Sequence, residues 1–197
     1  MWNERYSSPD YAYGTEPNDF LAAVAARIPP AGRVLSIADG EGRNGVFLAT
    51  LGYDVTSMDA SPVGLAKAQL LAVACGVQIT TIAADLADYM ISPDSWQGIV
   101  SIFCHLPPPL RRHVLEQVVR GLVPGGIFVL ESYSAQQLGR GTGGPTSAEL
   151  LPTLGALRTE LAGLELLHAV EMEREIHEGV HHDGLSAVVQ IIGRRPG

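Results

Sequence analysis

Arg33-Val34-Leu35-Ser36-Ile37-Ala38-Asp39-Gly40-Glu41-Gly42-Arg43-Asn44-Gly45 is the stretch on which the fold turns. Its first five residues form a short apolar run, as a buried strand requires. A glycine-rich turn spans Ala38 to Asn44, and Gly45 to Leu51 predicts a helix. Glycines at a strand–helix turn let backbone approach a ligand, and the helix start offers unpaired N–H donors. The plainer use of such glycines is chain reversal alone; the strand–turn–helix context favours a ligand loop.

Outward from this loop, strands and helices alternate. Asn18 is a good N-cap for a helix carrying Phe20, Leu21, Val24 and Ile28, stopped by Pro29-Pro30. Strands are predicted at 54–58, 77–83, 98–103 and 127–133. Helices are predicted after Ser61-Pro62 and over 107–122. This alternation implies right-handed crossovers and a parallel sheet with helices on both faces. The last third differs: a flexible loop at 139–145, a helix at 152–161, then two strand-like runs at 164–176 and 185–192 joined by a polar turn. They predict an antiparallel hairpin at the sheet's end. The first stretch, Trp2 to Pro17, is aperiodic.

The chain has 197 residues, which suits one domain. It divides into a cap segment and helix (1–30), a cofactor-binding core (31–135) and a substrate-side helix and hairpin (136–197). Net charge is −8 and no basic run of five residues occurs, so a nucleic-acid partner is disfavoured. Cys75 and Cys104 make no disulfide framework and fit a reducing cytoplasm. No basic-then-apolar leader opens the chain, and no apolar stretch reaches the roughly 18 residues of a membrane span, so no membrane partner is expected.

Gly40-x-Gly42-x-x-Gly45 formally matches the dinucleotide fingerprint, and Asp59 follows at about the distance of a ribose-binding acid. An NAD-dependent oxidoreductase and a binder of S-adenosylmethionine (SAM) both need such an acid, so this pair separates neither. Asp59 could instead cap the Ser61-Pro62 helix. Asp85 after the third strand could accept from an adenine amino group, or be a solvated loop acid. The chain leaves little room for a separate substrate domain after about residue 135, which weighs against the oxidoreductase.

Leu122-Val123-Pro124-Gly125-Gly126-Ile127-Phe128, with Ile102-Phe103-Cys104-His105-Leu106-Pro107 before it, resembles the class I SAM-dependent methyltransferase superfamily. Trp2-x-x-Arg5-Tyr6, Tyr13-Gly14-Thr15-Glu16-Pro17 and Gly42-Arg43-Asn44 are similar to the small subset that includes tellurite-resistance and thiopurine methyltransferases. The resemblance implies a Rossmann-like α/β fold: a doubly wound, mostly parallel seven-stranded sheet with a C-terminal antiparallel hairpin. It implies SAM as cofactor and a small-molecule acceptor, a thiol or a tellurium or selenium oxyanion. Gly40 and Gly42 would face the methionine part of SAM, with Ala38, Asp39 and Asn44 beside them. Asp59 and Ala60 would hold the ribose, Asp85 and Leu86 the adenine. Phe103, Cys104 and His105 would line the floor, and Tyr13 would close over the cofactor.

Two positions depart from that pattern. The superfamily usually has an acid where this chain has Ser36, and glycine where it has Ala38. Both changes would weaken SAM binding and raise the alternative of a degenerate SAM-binding module without turnover. Asp39 could supply the missing charge, or be an exposed turn residue. His105 is the best-placed group to orient an acceptor or take a proton; packing before Pro107 is its plainer role. Arg174 could pair with an anionic acceptor, and His182 could join acceptor recognition. His177, His181 and His182 lie in a strand-like segment with glycine breaks, so no metal site is expected. Cys104 reads as a small buried residue rather than a nucleophile.

Overall fold

The computed structural model describes residues 2–179 and 181–197; Met1, and Val180 in the polar hairpin turn, lie outside the described residues. A short helix α1 (Trp2–Arg5) precedes α2 (Asp19–Val24), which Asn18 caps by accepting from the Leu21 N–H. The helix predicted to reach Ile28 tightens into a 3-10 turn at Ala25–Arg27 before the proline pair. Then come β1 (Arg33–Ile37), α3 (Arg43–Thr50), β2 (Asp54–Asp59), α4 (Pro62–Ala74), β3 (Thr80–Ala83), β4 (Trp96–Ile102) and α5 (Pro108–Gly121). β5 (Leu122–Tyr133), α6 (Leu154–Glu160), β6 (Glu165–His177) and β7 (Asp183–Arg194) complete the chain.

The seven strands form one sheet in the order β3-β2-β1-β4-β5-β7-β6. The first five are parallel; β7 runs antiparallel to both β5 and β6. This is the Rossmann-like fold with the hairpin that the resemblance implied. A sheet continuing β5 directly into a sixth parallel strand, as in dinucleotide-binding halves, is not what the chain builds. Strand order reverses between β1 and β4, so a crevice opens at their carboxyl ends, where α/β sheets bind ligands.

Two apolar layers sandwich the sheet. Leu21, Val34, Leu48, Val55, Ala68, Val100 and Val129 fill one face; Leu35, Met58, Ile99, Val118, Phe128, Leu157 and Ile191 fill the other. Successive residues of β1 enter opposite layers, as the two-residue period of a strand demands. β3 is three residues shorter than predicted, since Val77 still closes α4 by donating its N–H to Ala72.

Gly42 joins β1's loop to this packing. It has φ +87°, and a Cβ there would meet the Ala68 Cα at 2.8 Å. Its glycine is required by the contact between α3 and α4. Gly42→Ala combines a left-handed conformation with overpacking, and is expected to cost about 2–5 kcal/mol in chemical denaturation. A loss below the noise of the titration would overturn this account of Gly42.

Candidate cofactor and acceptor site

Asp39 is the centre of the loop after β1, and it is buried. Its Oδ1 accepts from the Ser36 hydroxyl at 2.7 Å and the Gly45 N–H at 3.2 Å; its Oδ2 accepts from the Ser57 hydroxyl at 2.6 Å. The exposed-turn alternative is therefore corrected: Asp39 reaches back under the loop and ties β1, β2 and α3 together. An acid at position 36 would set a second carboxylate against it. The Ser36 and Asp39 pair thus moves the charge by three residues rather than deleting it. Ala38 does keep the glycine-like conformation, at φ 51°, a strain of about 1–3 kcal/mol.

Asp59 ends β2. Its Oδ2 accepts from the Gly40 N–H at 2.9 Å and its Oδ1 from the Ser61 N–H at 2.8 Å. It caps the turn into α4 and shapes the glycine loop at once. Each oxygen retains a lone pair for a further donor. Ala60 beside it is exposed. Asp85 is exposed and accepts from the Ala87 N–H, while Leu86 is buried in the core beside Met58. The buried Asn44 side chain accepts from the Asn18 N–H at 3.0 Å.

The N-terminal segment straps this region. A Cβ on Gly40 would lie 2.7 Å from the Tyr6 hydroxyl, and one on Gly64 would lie 2.8 Å from its ring. Glu41 accepts from the Ala12 N–H at 2.7 Å and pairs with Lys67, whose ammonium also donates to the Ser8 and Asp10 carbonyls. Tyr13 lies over the hairpin turn, its ring 4.5 Å from that of His182. The aperiodic sequence of this segment hid its α1 turn and its role, although its aromatic residues marked it.

Across the switch point, Phe103, His105, Tyr133 and His182 form an aromatic box. Phe103 stands 4.6 Å from Tyr133 and 4.7 Å from His182; His105 stacks 5.6 Å from Tyr133. Phe103 has φ 52°, an unfavourable state for an aromatic residue, and it sits where β4 enters the crevice. Tyr133 was absent from the sequence prediction; its place near the carboxyl end of β5 was the available signal. Cys104 is half-buried and faces a small cavity with Ser101 and Leu106; burial pushes its thiol up to about 12, which disfavours a thiolate at neutral pH.

Arg174 does not join the box as a free cation. Its guanidinium donates to both oxygens of Glu131 at 2.9 and 2.8 Å, and also to Glu178 and Asp19. This corrects its assignment to an anionic acceptor: two buried carboxylates already hold it. Arg43 is likewise paired with Glu178 at 2.5 Å. Burial pushes the Glu178 carboxyl up, but His182 and Arg43 outweigh that and hold it down to about 2. His182 is buried beside Glu178, with Nδ1 4.0 Å from the carboxylate.

With this geometry in hand, the comparisons are consistent. Residues 34–126 match the family model described as a methyltransferase domain. A protein solved in work on the conversion of a disulfide bond into a thioacetal group during echinomycin biosynthesis superposes with TM-score 0.78 at 20% identity, covering 98% of this chain and 88% of its own. TehB from Haemophilus influenzae follows at TM-score 0.75 and 20% identity, covering 98% of this chain and 65% of its own. The [4+2]-cyclase SpnF gives TM-score 0.73 at 17% identity, covering 98% and 90%. No curated protein sequence matches the chain. The matched stretch is similar to a methyltransferase domain, and the fold around it is the one these solved structures share.

Asp39 also sets a pH signature. Burial raises its carboxyl from 3.8 to about 6, opposed by the hydrogen bonds from Ser57, Ser36 and Gly45. The folded protein then holds this proton more tightly than the unfolded chain. Its contribution to stability is fully present below pH 3.8 and is lost as pH rises through about 6. The expected loss is about 3 kcal/mol. Measured as wild type minus Asp39→Asn in urea titrations across this range, a flat difference would refute the burial of a charged Asp39.

Proposed function

We propose that this chain binds SAM at the carboxyl ends of β1 and β2 and transfers its methyl group to a small-molecule acceptor at the ends of β4 and β5. One observation carries the reading. Asp39 is a buried carboxylate whose hydrogen-bond partners are neutral, and among the described residues it has no salt bridge. A buried anion of this kind calls for a cation. SAM carries two positive groups, an ammonium and a sulfonium, and supplies an electrophilic methyl.

The residues present fit that cofactor. Asp39 places negative charge under the loop, Asp59 offers lone pairs to ribose hydroxyls, and Asp85 with Leu86 borders the next strand end. Gly40 has no side chain to obstruct the loop, and Tyr6 covers it from the strap. Asn44 and Gly42 support the loop from behind through Asn18 and Ala68. Entry of the cofactor therefore requires the strap bearing Tyr6 and Tyr13 to lift, after which its closure excludes water. Methyl transfer is an in-line displacement, in which positioning supplies much of the acceleration.

A thiol and a tellurium or selenium oxyanion are the two acceptors raised by the sequence. The likeness to TehB is one of fold. A binding module without turnover is the second reading, favoured by the strained Ala38 and by the general rule that a fold does not determine its chemistry. Calorimetry with SAM, S-adenosylhomocysteine and NAD separates these readings from the oxidoreductase. Asp59→Asn, with its fold checked by melting, is expected to weaken SAM binding about ten- to a hundredfold, the worth of a hydrogen bond to a charged group. Undiminished affinity would remove Asp59 from the ribose site, and absence of SAM binding by the wild type would end the proposal.

A further inference from the structure

We propose that the box around Phe103 takes an uncharged acceptor bearing an S–H or O–H group, with His105 Nε2 receiving its proton; this rests on the methyltransferase reading. The first support is hydrogen-bond capacity. His105 Nδ1 lies 3.3 Å from the Leu150 carbonyl oxygen. The Ser132 hydroxyl, 3.4 Å from the same nitrogen, donates instead to the Tyr133 carbonyl at 3.2 Å; a carbonyl only accepts, so the arrangement favours the tautomer with the hydrogen on Nδ1 and a lone pair on Nε2. Among the described residues, Nε2 is buried without a partner, and so is the Tyr133 hydroxyl. One atom needs a donor and the other can donate, which is the complement of a protonated X–H group. Buried polar groups left unpaired in this way call for a ligand.

Charge is the second support. Arg43 and Arg174, two guanidiniums near the box, are held by Glu178 and Glu131. Neither is available to neutralise an oxyanion. Burial holds His105 down to about 4, so its imidazole is neutral near pH 7, and burial pushes the Tyr133 phenol above its ordinary range. The loop above adds enclosure: a Cβ on Gly144 would stand 2.8 Å from the Tyr133 ring, and one on Gly143 would strike its hydroxyl. A box that suppresses both of its own charges is a poor host for an ionic acceptor.

The reaction then balances as follows. The X–CH3 bond forms as the methyl–sulfur bond of the sulfonium breaks, its electron pair staying on sulfur. The X–H proton passes to Nε2, leaving a methylated acceptor, a thioether and an imidazolium that returns its proton to solvent. A base as weak as this imidazole suffices for a thiol or hydroxyl, whose proton becomes strongly acidic on alkylation. It cannot free the lone pair of an amine before attack, because an alkylamine keeps its own proton up to about pH 10. Amines are therefore excluded along with anions.

The test has a binding arm and a turnover arm, both after SAM binding has been established by calorimetry; failure there defeats the methyltransferase reading instead. In the first, protein saturated with S-adenosylhomocysteine is titrated with benzyl mercaptan, p-cresol, selenite and benzylamine. A neutral probe is expected to bind at least about tenfold tighter than selenite or benzylamine. Equal or tighter binding of either ion, or no binding of both neutral probes at millimolar concentration, overturns the proposal. In the second, methylation of the best-bound probe is followed in wild type, His105→Phe and Tyr133→Phe. His105→Phe keeps an aromatic ring and is expected to lower kcat about a hundredfold with a modest change in KM. Tyr133→Phe should mainly raise KM. Full activity of His105→Phe, or no methylation of any bound neutral probe by wild type, also overturns it.

Discussion

Two buried carboxylates, Glu131 and Glu178, tie the residue ahead of α2, the start of α3 and the C-terminal hairpin to one another. Glu131 on β5 accepts from Arg174 on β6, Gln190 on β7 and Asn18 ahead of α2. Glu178, beyond β6, accepts from Arg43 at the start of α3 and again from Asn18 and Arg174. Charges balance inside the cluster: two carboxylates face two guanidiniums, with side-chain amides completing the hydrogen bonds. Its net worth over an apolar cluster is modest, but removing a single member would leave a buried charge unpaired at about 3–5 kcal/mol. The cluster fixes where the C-terminal hairpin meets the start of α3, and it engages the guanidiniums of both Arg43 and Arg174.

Strain gathers where these parts meet. Ala38 follows β1 and Phe103 follows β4, on the two strands that flank the reversal of order, and both hold a left-handed backbone. The surroundings impose this. Phe103 donates its N–H to the Glu131 carbonyl while its ring is held by Tyr133 and His182. The Asp39 N–H, next after Ala38, donates to the Met58 carbonyl of β2. Each strained residue stands just before a side chain that packs inward: Cys104 faces a small cavity after Phe103. For Ala38 that next side chain is Asp39, which explains how a loop residue becomes buried.

Most of the architecture was legible because it rests on local patterns. The apolar run 33–37 and the Ser61-Pro62 start each carry their own signal, and β1 falls on the predicted residues; Pro124-Gly125-Gly126, which reads as a turn, instead lies within β5, where the pairing with β4 shifts register. The site was less legible because its partners are remote in sequence. Arg174 looks free in the sequence, since its carboxylate, Glu131, lies 43 positions away. Asp39 looks like a turn residue until Ser57 from the neighbouring strand is brought 2.6 Å from it. Tyr133 carries no motif at all; its importance comes from rings on β4's end and on the hairpin converging upon it.

These placements divide the crevice electrostatically. On the β1–β2 side, Asp39 and Asp59 concentrate negative charge. On the β4–β5 side, the box is aromatic, its titratable groups are held neutral, and its nearby ions are already paired. A cationic methyl donor and a neutral acceptor would each find the half that suits it. In a displacement between them, the positive charge spreads from sulfur over the transferred methyl and the acceptor atom. A medium of low polarity penalises a concentrated charge more than a dispersed one, because the Coulomb cost of charging rises as the effective dielectric falls. Water on the acceptor side would remove that difference by solvating the sulfonium before transfer. The glycines at 143 and 144 pack against Tyr133 and the strap packs over Gly40, so both halves are covered in the way such a displacement would need.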